Sequence, residues 1–513
     1  MAAQQARAQA PQGLLPAYGT DVRVGDLRQQ FQRTFDTSPK TPSERIFTFT
    51  PAIDISETYD SAVRLRGGFG KDYITRITPV LAGSIEASRL NGTFNYSPQV
   101  SFYALHGNQN GVAQNLNTAL TATLVEDLLF AELRGFAITQ PALGGFNTAG
   151  SGGKSDDVQS TSFTAATYLQ KRFGETATVM AGYSATRSTM TSLAPKGTAP
   201  TQAGLNSNFT SMTENASISS GPEFGRINAA LSAVATQYEG ASFYNGAHNE
   251  TITASTAYAY TRMITVTGSV GHENIVYGPG GPKAINGITW SGGFKLTPNA
   301  DSTINVSYGR QQGGNSFSFD GTYAPTPRIR LLGRYSQGIG TGLQNLQNAL
   351  AGAAAGPGGI AVDRNSGAPL QLGSLLGQQA GVYRTTIGSL TGILQLDRDT
   401  FTVSLESNDR QLLSGSTTGG GIGSNSGITA TTAWQHQWSE PMSTNFSLQY
   451  GTRTVPGALG GTNQTEAANL SVNYMLSETL STNGLISHTQ TKGRTFGVAP
   501  TRDMAVIGLH KAF

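Results

Sequence analysis

Six histidines, His106, His248, His272, His436, His488 and His510, are the side chains best suited by type to acid–base or metal chemistry near neutral pH. They are scattered. None stands in an H-E-x-x-H run or beside a second ligand at metal spacing, so their pattern offers no metal site. His272-Glu273 is an isolated pair inside an alternating run, which suits a structural or rim role. No G-x-S-x-G elbow occurs. The stretch Gly150-Ser151-Gly152-Gly153-Lys154-Ser155 ends like a phosphate-binding loop, but Thr148 holds the leading glycine position and a flexible loop is the better reading. Cys is absent, which excludes thiol catalysis, disulfides and zinc ribbons. The expectation is a protein that is not an enzyme, with no catalytic residue, metal or cofactor.

The charges on the alternating runs mostly fall on the polar parity. Arg76 and Glu86 share a face of one run, Glu132 and Arg134 of another, and Glu406 and Arg410 of a third. Arg330 and Arg334 oppose Ile329, Leu331 and Tyr335. These eight are candidate channel-lining residues if the other face of each run meets lipid, where Arg or Lys would cost roughly 2–4 kcal/mol near the midplane. Either a charged eyelet or a merely hydrated wall would place them there. The rest of that face is mostly Ser, Thr, Asn and Gln, which can hydrogen-bond hydroxylated solutes such as sugars and suits plain water equally.

Such placement requires strands. Alternation with period two runs through most of the chain. Phe94, Tyr96, Val100 and Phe102 oppose Asn95, Ser97, Gln99 and Ser101; Phe401, Val403 and Leu405 oppose Thr402, Ser404 and Glu406; Phe446, Leu448 and Tyr450 oppose Asn445, Ser447 and Gln449. The runs reach about ten residues or more, longer than ordinary strands. Short turns such as Arg89–Gly92 and Ser477–Thr479 alternate with long Gly/Ser/Asn-rich loops such as Gln140–Asp157 and Leu413–Gly427. That asymmetry describes a transmembrane antiparallel β-barrel of the bacterial outer membrane, with short periplasmic turns and long extracellular loops. The pattern predicts twenty-two strands, from 45–57 and 73–88 to 502–513, with eighteen to twenty-two acceptable. Tyr258, Tyr260, Trp434, Trp438 and Tyr450 are candidates for the lipid-facing interfacial girdle.

Composition agrees. In 513 residues 13% are charged, 37% are hydrophobic and Gly numbers 64, which argues against disorder and against a chain of charged soluble domains. No run of about 18 apolar residues exists to form a membrane helix. A net charge of +3 gives no reason to expect a nucleic-acid partner.

Two segments stand outside the barrel pattern, which covers 45–513. Residues 1–44 read as an N-terminal periplasmic segment; Ala8-Gln9-Ala10 resembles the tail of a secretory signal, and Val24 to Phe35 suits a short amphipathic helix. The insert 338–382 is expected to be a long extracellular loop with a helix near Leu343–Ala351, either a lid folded into the lumen or an exposed surface loop. Twenty-two strands enclose a backbone diameter on the order of 45 Å, so something must narrow the opening, and these segments are the candidates.

Two stretches carry a family resemblance. Phe47-Thr48-Phe49-Thr50-Pro51-Ala52-Ile53-Asp54-Ile55-Ser56-Glu57-Thr58-Tyr59-Asp60 resembles the opening strand of the exosortase (PEP-CTERM) system-associated outer-membrane barrels. Asn115-Leu116-Asn117 through Leu124-Val125-Glu126-Asp127-Leu128-Leu129-Phe130-Ala131 resembles a hairpin of that family, and Ala131-Glu132-Leu133 departs from its usual Asp-Ala ending. The resemblance covers these two motifs and implies a role in exopolysaccharide export. The end of the chain also resembles the closing strand that barrel-assembly machinery reads: Phe513, Leu509 and Ile507 fit it, while Lys511 stands where an apolar residue is usual and can snorkel. The expected partners are outer-membrane lipid, the assembly machinery, and polysaccharide with its export partners. The leading expectation is a saccharide or polysaccharide channel; the alternatives are a general diffusion porin and a structural or adhesive surface barrel.

Overall fold

A strand with one apolar and one polar face is stable across a membrane only when both of its edges are hydrogen-bonded. The computed structural model of the chain meets this condition with one antiparallel sheet that closes on itself. It describes residues 46–65, 68–141, 157–193, 207–240, 244–279, 281, 283–341, 353–355, 361–363, 382–414, 424–455, 461–493 and 501–513. The closed sheet holds twenty-four segments; two strands consist of two segments each, so the wall has twenty-two strands among the described residues.

In chain order these are β1 (Phe47–Leu65), β2 (Gly68–Glu86), β3 (Leu90–Tyr96 and Gln99–Tyr103), β4 (Gly111–Ala113 and Leu116–Val125), β5 (Leu129–Pro141), β6 (Asp157–Phe173) and β7 (Ala177–Ser192). There follow β8 (Ser207–Ser220), β9 (Ile227–Gly240), β10 (His248–Ala259), β11 (Ile264–Val276), β12 (Ile285–Leu296), β13 (Thr303–Gln311), β14 (Gly314–Thr326) and β15 (Ile329–Thr341). The last are β16 (Val382–Gln395), β17 (Asp399–Ser414), β18 (Asn425–Ser439), β19 (Met442–Val455), β20 (Gly461–Ser477), β21 (Leu480–Lys492) and β22 (Thr501–Ala512). Each pairs with its sequence neighbours, and β1 pairs with β22 from Ala52↔Ala512 to Asp60↔Met504.

The sequence pattern locates every strand, and the departures have physical causes. The first hairpin is longer than the expected 45–57 and 73–88: β1 runs on to Leu65 past an irregularity between Asp60 and Val63, and β2 begins at Gly68. Its upper part carries Arg64, Lys71, Asp72 and several glycines, so the alternation that marks a strand is weak there. β3 breaks at Ser97-Pro98, where proline has no N–H for the ladder. The insert expected over 338–382 is shorter, because Gly338–Thr341 continue β15 and pair through to Val382. Within it the structure describes a two-strand ladder, Ala353–Ala355 with Ala361–Asp363. The helices expected near 24–35 and 343–351, the lid, the signal-like stretch and the segment 1–44 lie outside the described residues.

The apolar parity faces outward. Ile486 and Ile507 are each 65% exposed, a degree that suits a side chain whose solvent is hydrocarbon. Phe513 and Leu509 share that face with Ile507. Phe513 donates its backbone N–H to Pro51 O at 2.9 Å, and Lys511 reaches the short-turn rim, where Nζ donates to Thr479 Oγ1 at 2.7 Å.

Closure of the ring is reinforced on the inner face. His510 Nδ1 lies 2.6 Å from Asp54 Oδ1. Arg502 donates Nε–H to Asp60 Oδ1 at 2.9 Å and a second bond to Oδ2. Asp60 is 1% exposed. Removing one partner of a desolvated ion pair costs about 3–5 kcal/mol, because the other charge is left behind. Asp60→Ala should therefore lower the temperature at which the folded, fast-migrating form is lost on a denaturing gel. The exchange Asp60→Arg with Arg502→Asp should restore part of it. An unchanged transition in the single variant would mean that the backbone ladder alone closes the barrel.

Candidate functional site

The inner wall of a membrane barrel is its route for solute, and here hydroxyl groups dominate it. Residues directly opposite on neighbouring strands pair through their hydroxyls: Thr48 with Ser84 at 2.6 Å, Ser162 with Ser188 at 2.9 Å and Thr164 with Thr186 at 2.8 Å. Thr213 with Thr236 at 3.0 Å, Ser269 with Ser291 at 2.6 Å, Ser307 with Ser318 at 2.6 Å and Thr391 with Ser404 at 3.0 Å continue the series around the ring. One internal bond uses one O–H of each pair, so every pair keeps a second O–H and several lone pairs for water or solute.

Near the short-turn end the wall forms an open concavity of about 350 Å³. Thr48, Thr50, Ser84, Thr93, Asn95 and Asn117 supply its polar lining. It carries no formal charge.

The eight charged candidates occupy separate sectors of the lumen-facing parity. Arg76 lies on β2, is 6% exposed and donates to Thr58 Oγ1 at 2.7 Å. Tyr103, Asp60, Asp157 and Arg502, itself bound to Asp60, are among the groups around it near the β1–β22 seam. Glu86 is exposed at the short-turn rim of the same strand. Glu132 and Arg134 are neighbours on β5, and Glu132 is 4% exposed. Arg330 and Arg334 are exposed on β15, with Arg334 directly opposite Asp320 of β14. Glu406 and Arg410 lie on β17 beside Arg453 of β19 and Tyr383 of β16. The eight do not converge on one point.

Sequence reasoning passed over Arg453, Asp60, Arg502 and a buried capping group on β2. Asp72 is 0% exposed; its Oδ1 accepts the backbone N–H groups of Tyr73 and Leu105 at 2.8 and 2.9 Å, and Oδ2 lies 2.7 Å from His106 Nδ1. Asp60 was inside a quoted motif, but only barrel closure brings Arg502, 442 positions away, against it. Among the described residues no three His, Asp or Glu side chains are grouped to hold a metal ion.

The long-loop rim carries an apolar collar. Phe209, Tyr238, Tyr244, Ala247, Ile339 and Val382 form one buried cluster, with Phe136, Tyr277, Ile285 and Leu413 against it. Phe209 and Tyr244 stack at 4.4 Å. The tight β13–β14 turn fits beneath this collar. Gln312 and Gly313 both have positive φ, and Glu273 of β11 accepts their N–H groups at 2.8 and 3.0 Å. Gln312 Oε1 accepts the Ile339 N–H at 2.8 Å. A two-residue turn of this hand needs positive φ twice, and the Glu273 carboxylate holds the non-glycine member in place.

The girdle candidates Tyr258, Tyr260, Trp434 and Trp438 face outward towards the short-turn rim, and Tyr450 faces outward higher on β19. Charges also share the outward parity along the wall: Glu214 of β8, directly opposite Tyr183 of β7, Arg187 of β7, directly opposite Phe163 of β6, and Glu57 of β1. Glu57 lies between Ile55 and Tyr59 and accepts a bond from Thr75 Oγ1 at 2.7 Å, directly below the Tyr59–Tyr73 ring pair.

Neither a family model nor a curated relative matches the sequence. Solved structures do. The open form of the ferric-catecholate import receptor Fiu from E. coli K12 matches with a TM-score of 0.50 and 11% identity, over 92% of this chain and 82% of that one. The F3-3 variant of the FrpB iron transporter from Neisseria meningitidis matches with a TM-score of 0.50 and 10% identity, over 90% and 82%. At these identities the likeness is one of fold. With the closed wall and its outward apolar face, it makes the chain a bacterial outer-membrane β-barrel.

Arg410 and Arg453 face the same part of the lumen, so removing both should shift ion selectivity toward cations by about twofold, read as the reversal potential across a salt gradient. Glu406→Gln should move it the other way. No shift in either variant would place these groups outside the conducting path.

Proposed function

We propose that this barrel is an outer-membrane channel for hydrophilic solutes, that saccharides or polysaccharides are its solute class, and that it serves an exopolysaccharide-associated envelope system. The observation that carries the reading is the series of paired hydroxyls on the inner wall. A sugar crossing the lumen must exchange hydration for other hydrogen bonds, and hydroxyls and amides make that exchange at little net cost in either direction. The uncharged concavity bounded by Thr48, Ser84, Asn95 and Asn117 would hold a solute by many weak bonds and release it again.

Two further observations support the reading. The solved structures of like fold are an import receptor and an iron transporter, so the architecture is one that transport proteins use. The opening strand and the Asn115–Ala131 hairpin resemble barrels linked to exopolysaccharide production. Partners follow from the same reading: the assembly machinery would take the closing strand by Phe513, Leu509 and Ile507, and polysaccharide-export proteins would meet the channel at its periplasmic rim. The steps assigned to the wall are hydration exchange and passage, and no bond of the solute is broken.

Single-channel recording on the refolded protein tests this. Discrete current steps that oligosaccharides interrupt are expected. Steps that sugars leave untouched would favour a general diffusion porin, and a folded barrel with no conductance would favour a structural or adhesive role.

A further inference from the structure

On the outer face at the short-turn rim, three rows of side chains lie one above another across β17, β18 and β19. Asp399, His436 and Thr444 are directly opposite one another and form the row nearest the rim. Phe401, Trp434 and Phe446 form the next row, and Val403, Thr432 and Leu448 the next. Trp438 stands below the polar row, in the headgroup zone. A polar row, an aromatic row and a largely aliphatic row repeat the order of a lipid leaflet from headgroup to chain.

The polar row is held in position. Asp399 Oδ1 accepts the Trp434 indole N–H at 2.8 Å and lies 2.7 Å from His436 Nδ1. Trp434 stacks on Phe401 with centroids 6.5 Å apart, and His436 meets Trp438 edge-on at 4.5 Å. Trp438 donates its own N–H to Thr444 at 2.9 Å. Both indole N–H groups are thus tied down, while Asp399 Oδ2 and His436 Nε2 have no hydrogen-bond partner among the described residues. The Asp399 and His436 side chains are 29% and 20% exposed. Arg398, in the turn that leads into β17, is exposed, and its carbonyl accepts the Gln437 N–H at 2.8 Å. Tyr258, Tyr260 and Tyr450, on the same lipid parity, have no comparable network.

We propose that this patch is a binding site for one phospholipid of the periplasmic leaflet with an ethanolamine headgroup. The ammonium lies at Asp399 Oδ2, against the Trp438 ring, where a carboxylate and an aromatic face both favour a compact cation that can donate hydrogen bonds. The phosphate lies at His436 Nε2. The acyl chains run along Trp434, Phe446 and Leu448. A glycerol headgroup has no cation for Asp399, and a choline headgroup has no N–H to donate, so the site discriminates among phospholipids.

Native mass spectrometry of the full-length barrel, released from mixed micelles doped in turn with phosphatidylethanolamine, phosphatidylglycerol and phosphatidylcholine, tests the proposal. One tightly retained ethanolamine lipid is expected, favoured about fivefold over the other two. Asp399→Asn keeps an oxygen for Trp434 and removes the charge, and should abolish that preference with the folded band on a denaturing gel unchanged. His436→Gln should weaken retention of all three lipids, and Tyr260→Leu should change nothing. Equal retention of the three lipids by the native barrel would overturn the assignment, as would a preference that survives in Asp399→Asn.

Discussion

Every backbone N–H and C=O that enters hydrocarbon must find a partner, at a cost of several kcal/mol for each that does not. For a sheet the condition is global, since even one open edge violates it. The pairing of β1 with β22 is therefore the contact on which the rest depends. It joins residues more than 400 positions apart, and no local signal specifies it. The chain answers with redundancy: nine consecutive register pairs, the Asp60–Arg502 ion pair, the Asp54–His510 contact and the Phe513 N–H on Pro51 all act on the same seam.

Once the ring is closed, parity decides everything else. A side chain has only two environments, and neighbouring positions must alternate between them. Ser162 and Ser188 can pair across the lumen face because Phe163 and its neighbours take the lipid face. Some polar groups on the outward parity lie at the rims. Lys511 bends to Thr479, and Asp399 is the first residue of β17, with His436 directly opposite it. Glu57, Arg187 and Glu214 are set deeper, and Glu57 lies directly below the Tyr59–Tyr73 pair.

This also explains what could be read from the sequence. Period-two runs are local, so the strands, the short-turn and long-loop ends, and the lumen parity of Arg76, Glu132 and Arg410 are visible in the chain itself. Contacts between strands distant in sequence are not. Asp60 alone is an acidic residue at a strand's end, and its role appears only with Arg502 beside it. Trp434 and Trp438 read as girdle residues from type and parity, but their tie to Asp399 and Thr444 depends on the register of three strands, which a one-residue slip would destroy. The hairpin above Asp60 misleads for a different reason: Arg64, Lys71, Asp72 and its glycines blur the periodicity that marks strands, while the backbone ladder continues.

The two faces of the wall use hydrogen bonding in opposite ways. Inside, Ser and Thr pair with their own kind, so each bond is neutral, one of many, and leaves capacity unused; such a surface exchanges partners readily and holds nothing firmly. Outside at the rim, Asp399 combines a charge with two aromatic N–H groups in a setting where water is scarcer, and bonds of that type are about twice as strong as neutral ones. A wall meant for passage gains from the first arrangement, because a solute held strongly at any one level would block the path behind it. A contact with the bilayer gains from the second, because a lipid that stays in place fixes the depth of the barrel. The alternation that separates the two faces lets one strand, β17, carry both kinds: Ser404 in the hydroxyl series and Asp399 at the lipid rim, five residues apart on opposite sides of the same sheet.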